Sequence, residues 1–159
     1  MEKDLNVQKN VQKNVQKDVQ KNVQEVCQNF QPNEGSRDRA IEIVKKTLME
    51  NYEIDENTAM EAIKNSIFYK MIMENDLDAY YYSGKQWSRK IVEGELTGFI
   101  YTNYGKYIKD INIERNEYVE IFIYVHDDWN GIQLELNQYF INIQQKYRGK
   151  TRNWKFHVV

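Results

Sequence analysis

Between Glu117 and His126 the chain reads EYVEIFIYVH, and its positions alternate. Val119, Ile121, Ile123 and Val125 fall on one side of an extended chain, and Tyr118, Glu120, Phe122 and Tyr124 fall on the other. A β-branched face opposed to an aromatic face with one charge predicts a strand buried on the first side and partly covered on the second. Asp127-Asp128-Trp129-Asn130-Gly131 then reads as a turn, with Asp or Asn available to cap a following helix. Ile132, Leu136, Tyr139, Phe140, Ile143 and Tyr147 recur at steps of three and four, which predicts a helix with Gln133, Asn137, Gln144 and Gln145 turned away. Acids before it, and Lys146 and Arg148 in its last turn, suit its dipole, and Gly149 is a natural stop. In the closing NWKFHVV, Trp154, Phe156 and Val158 alternate with Lys155, His157 and Val159, predicting a last strand. The connection is long enough for these two strands to lie parallel, through a right-handed crossover.

The region before this unit is organised differently. Ser36 or Asp38 can cap a helix whose buried stripe is Ile41, Val44, Leu48 and Tyr52, widened by Ile43. After a break at Glu53-Ile54-Asp55, Thr58 and Glu61 match a capping box. Met60, Ile63, Ile67 and Met71 continue a second helix to about Glu74. Asp76–Tyr82 is ambiguous, and Gln86–Val92 reads as a short helical turn or two. Gly94–Tyr101 and Tyr104–Ile113 both lean towards strands, joined through Asn103–Gly105 as a hairpin. The expected fold is therefore α+β: two N-terminal helices, then a mostly antiparallel sheet of about four strands, with one long helix before the last strand.

Residues 7 to 26 follow another rule: VQKN, VQKN, VQKD, VQKN, VQEV. A step of four drifts by about 40° per repeat on a helix, so the valines form no heptad seam. The segment reads as a disordered or partly helical tail, with an oligomerising helix or a Gln/Asn cross-β segment as alternatives. Residues 28 to 36 hold the only proline and read as a linker. Residues 1–35 are thus expected to be tail and linker, and 36–159 a single domain.

Composition adds limits. The 159 residues carry a net charge of −2, which gives no global pull towards nucleic acid or membrane. No apolar run has the length of a membrane span, and the polar N-terminal stretch has no signal-like hydrophobic region. A single cysteine, Cys27, forms no internal disulfide, so a cytoplasmic location is the expectation. An excess of Asn, Lys, Ile and Tyr suggests AT-rich coding DNA, and with it a bacterium or phage.

The chemistry is concentrated at the C-terminal end. After Glu135 there are no acids, while Lys146, Arg148, Lys150, Arg152 and Lys155 are interleaved with Tyr147, Trp154 and Phe156. Cations neutralise phosphates and aromatics stack on unpaired bases. Lys146, Arg148, Lys150, Arg152 and Trp154 are the expected contacts to a nucleic acid or protein partner. Lys85, Trp87, Arg89 and Lys90 repeat the mixture on a smaller scale, and Tyr80, Tyr81 and Tyr82 with Trp87 could line a recognition surface or simply fill core. Glu114, Glu117, Glu120, Asp127, Asp128 and Glu135 face only Arg115. The expected function is a small non-enzymatic binding or regulatory module that uses no cofactor or metal. One alternative is a nuclease-like enzyme using His126, His157 and Asp128. Another is a structural protein that oligomerises through its tail. No phosphate-binding loop, dinucleotide fingerprint, Cys-x-x-Cys pair or Gly-x-Ser-x-Gly occurs.

Overall fold

The computed structural model describes residues 31–126 and 131–159. The repeat tail with Cys27, and residues 127–130 of the turn expected over 127–131, lie outside them. The described chain is α+β. Its helices are α1 (Glu34–Tyr52), α2 (Glu56–Lys64), α3 (Ile67–Met73), α4 (Gly84–Tyr104), α5 (Ile132–Lys146) and α6 (Arg148–Thr151), and its strands are β1 (Ile108–Arg115), β2 (Val119–Val125) and β3 (Lys155–Val158).

The sheet has three strands in the order β1-β2-β3, with β2 antiparallel to β1 and parallel to β3. The parallel pairing through α5 is as expected. The mostly antiparallel, four-stranded sheet is not: the missing strand, Gly94–Tyr101, lies inside α4, which runs for 21 residues. Leu96 and Ile100 are fully buried and extend the stripe begun by Trp87, Ile91 and Val92. That burial overrides the weak helix propensity of Gly94, Thr97 and Gly98, and both glycines face open space. A genuine capping box, Ser83 with Gln86, starts this helix. The expected strand at Tyr104–Ile113 starts later and ends later, as β1.

The single helix expected from Thr58 to Glu74 is two. Ser66 ends α2 and caps α3, its hydroxyl donating to the Ile63 carbonyl at 2.6 Å and accepting from Tyr69 N–H at 3.3 Å. The capping box read at Thr58 shifts as well. Asp55 is the cap and accepts from Thr58 N–H at 2.7 Å, which holds the Asp55 carboxyl below its usual range. Glu53, in left-handed backbone with φ 52°, makes the break between α1 and α2.

Two glycines let other elements sit directly on α1. A side chain at Gly84 would meet Ile43 Cγ2 at 2.7 Å and Thr47 Oγ1 at 3.0 Å. A side chain at Gly149 would run into the Asn51 carbonyl. Gly149 is therefore not the stop of α5, which ends before Tyr147; it is the seat of α6 on the C-terminal end of α1. The core gathers Val44, Leu48 and Tyr52 of α1, the α4 stripe, Ile121 and Ile123 of β2, Leu136, Phe140 and Ile143 of α5, and Trp154. Phe140 of α5 stacks on Phe156 of β3 at 4.5 Å, which places α5 on the sheet face that carries Ile121 and Ile123.

Candidate interaction surfaces

The five residues singled out at the C-terminal end do not behave alike. Lys146 Nζ lies 2.7 Å from Glu95 Oε1. Its neighbour Tyr147 is fully buried, donates to the other oxygen of Glu95, and meets Tyr52 edge-on at 5.9 Å. Burial, and then the Glu95 carboxylate, push the Tyr147 hydroxyl far above its ordinary value. Arg152 Nη2 lies 3.2 Å from Glu53 Oε2, with side-chain exposures of 66% and 52%. Arg148 and Lys150 are exposed on α6, and Arg148 Nε donates to the Gln145 carbonyl at 3.4 Å. Trp154 is buried at 6% exposure and belongs to the core, so its ring does not lie open for base stacking. Its carbonyl and that of Thr151 accept from Gln144 Nε2 at 3.3 and 2.9 Å. The corner is thus four cations spread over the end of α5, α6 and the residue after it, with Trp154 as part of its foundation.

The candidate acid–base group does not assemble. Parallel pairing sets His157 opposite Phe122, not opposite His126. The His157 ring stacks on Phe122 at 4.7 Å, and its Nε2 is 3.3 Å from Glu120 Oε1. The backbone N–H of His126 donates to Tyr107 O, and Asp128 lies outside the described residues. Among the described residues no three His, Cys, Asp or Glu side chains come together to hold a metal ion. The tyrosine cluster divides. Trp87 is buried and donates Nε1–H to Ala79 O at 2.7 Å, whereas Tyr81 is 81% exposed and Lys90 sits 4.7 Å over the Tyr82 ring.

The sheet has two unlike faces, and its register assigns every residue to one of them. Arg115, Ile113 and Ile111 share the helix-covered face with Val119, Ile121 and Ile123. There Arg115 grips Glu93 of α4 with two hydrogen bonds, Nε at 3.0 Å and Nη2 at 2.5 Å, and Arg89 Nε stands 3.6 Å from the same carboxylate. This explains the lone cation in an acidic stretch: Arg115 serves a buried acid on another element. The sequence marked Arg115 but carried no signal for Glu93.

The other face shows Asp110, Asn112 and Glu114 of β1, Glu120, Phe122 and Tyr124 of β2, and Lys155 and His157 of β3. Glu120 is flanked by Lys155 Nζ at 3.8 Å and by His157. Lys155 also lies 4.8 Å over the Tyr118 ring. No described helix is long and apolar enough to cross a membrane. Compared with known proteins, the chain matches no family model, no curated protein and no solved structure.

Proposed function

We propose that the domain is a small binding module without chemistry of its own, and that its basic C-terminal corner contacts the phosphate backbone of a nucleic acid. The observation that supports this reading is the seat of Gly149 on Asn51, which fixes Arg148, Lys150 and Arg152 on one short turn before any ligand arrives. Preorganised cations lose less conformational entropy on binding an anion. Two of the four cations are held by partly exposed acids, Glu95 and Glu53. Pairs of this kind are worth roughly 0–1 kcal/mol, so a phosphate can replace either carboxylate at small cost. Phosphate contacts carry affinity without sequence information, so the binding is expected to be weakly selective and strongly salt-dependent.

The test is anisotropy of labelled single-stranded RNA, single-stranded DNA and duplex DNA with the full chain at two salt concentrations. Arg148→Glu with Lys150→Glu should abolish binding at the higher salt and flatten the salt slope by about two charges. Unchanged affinity in that double variant sinks the assignment. Binding of poly-glutamate in place of nucleic acid would redirect the corner to an acidic protein.

A further inference from the structure

β1 is the longest strand of the sheet, with eight residues, and among the described residues it is paired on one side only. A bare edge offers a ladder of backbone donors and acceptors to any extended chain, and folds usually blunt such edges. Here the blunting is heaviest at the two ends, and in the middle the Asp110 carboxylate takes one edge donor, the Ile111 N–H. A register shift between Ile108 and Asp110 bulges the chain at Lys109, and Arg115 turns inwards to Glu93. The middle, Asp110 to Glu114, is regular.

The outward side chains of that middle stretch are Asp110, Asn112 and Glu114, and all three are exposed. Asp110 accepts only from its neighbour Ile111 N–H, and Glu114 only from Asn112 Nδ2. Neither carboxylate has an ion pair among the described residues. Glu114 stands directly opposite Glu120, and like charges facing each other across two strands are unfavourable. Glu120 is relieved from its far side by Lys155 and His157. The row across the sheet therefore reads acid, acid, cation, and a cation beside Glu114 would balance it. The chain already shows what this face accepts, since Lys155 lies between the Glu120 carboxylate and the Tyr118 ring.

We infer that the open edge of β1 binds an extended basic segment of a partner protein by strand addition, with two Lys or Arg residues four positions apart facing Asp110 and Glu114. Four residues of strand span about 13 Å, and side chains at that spacing point to one face, so parallel and antiparallel additions both satisfy the match. The same acids argue against other occupants. A second copy paired antiparallel about Asn112 would set Asp110 against Glu114, and a phosphate backbone would meet two carboxylates.

The experiment uses the full chain and labelled Thr/Val peptides carrying two lysines, either four or three positions apart. The three-apart peptide keeps the composition but sends its lysines to opposite faces. At low salt the four-apart peptide should bind about tenfold more tightly, and Asp110→Lys with Glu114→Lys should remove that advantage. Asp110→Asn with Glu114→Gln does the same with no charge reversal, should the lysines disturb folding. Amide hydrogen exchange between residues 110 and 115 should slow in the complex. Equal affinity for the two peptides, or unaltered exchange in β1, overturns the inference. Protection of β1 that grows with protein concentration and needs no peptide would assign the edge to a second copy instead.

Discussion

Arg115 and Lys155 stand on opposite edges of one three-stranded sheet, and each has a glutamate beside it. Arg115 faces inwards and holds a Glu93 side chain that is 6% exposed; Lys155 faces outwards, 54% exposed, against a Glu120 that is 28% exposed. The first pair ties α4 to β1 and leaves a buried charge behind if broken. The second is solvated and screened by salt. The difference teaches that the alternation of a strand sorts charges into two jobs. Charges on the covered side build the fold, and charges on the open side remain available to partners.

The strongest challenge to that contrast goes through the core side. Gly149→Ala forces a Cβ into the Asn51 carbonyl and should destabilise the protein by about 3 kcal/mol or more, read from urea melts. Within β2, Ile121→Ala should cost about 3 kcal/mol, while Phe122→Ala, one residue along and on the open face, should cost about 1 kcal/mol. Comparable losses would show that something covers the open face after all. Arg115→Ala should cost about 2 kcal/mol, reduced from a fully buried pair because the arginine is 40% exposed, whereas Lys155→Ala should move the urea midpoint by no more than about 0.5 kcal/mol.

Alkaline titration sharpens the inner side. Burial, then Glu95, push Tyr139 up to about 12, and burial raises Tyr52 and Tyr147 further. Their folded values exceed the unfolded 10.0, so their contribution is complete below that pH and is lost as pH rises through the folded values. The part of the tyrosinate absorbance that belongs to Tyr52, Tyr139 and Tyr147 should therefore appear together with unfolding, not before it. Ionisation of these three tyrosines in a still-folded protein would contradict the burial.

The sequence disclosed the fold where one period ran undisturbed. β2 alternates with period two, α5 repeats at three and four, and β3 alternates again; all three stand within a few residues of expectation. α4 was hidden because Gly94, Thr97 and Gly98 argue locally for strand or turn, although Val92, Leu96 and Ile100 kept the spacing of four that the core required. Ser83-x-x-Gln86 is the capping pattern that could have marked its start, but Gly84 beside it reads locally as a break. The split at Ser66 depends on one hydroxyl turning back to Ile63, which no periodicity records. At the basic corner, the exposure of Arg148 and Lys150 follows from their type. The burial of Trp154 and the capture of Lys146 and Arg152 by Glu95 and Glu53 depend on elements distant in sequence. The open edge of β1 was illegible for the same reason: it required the sheet to have three strands and not four.

The Gly149 seat also sets a pattern of mutational tolerance. Arg148 and Lys150 point into solvent, so the fold places almost no demand on their identity, and drift there alters what the corner attracts without endangering the protein. Position 149 between them is closed to every other residue type by the backbone of α1. In a saturation library selected only for folding, this tripeptide should keep its middle letter and lose its outer two. In one selected for binding, all three should survive.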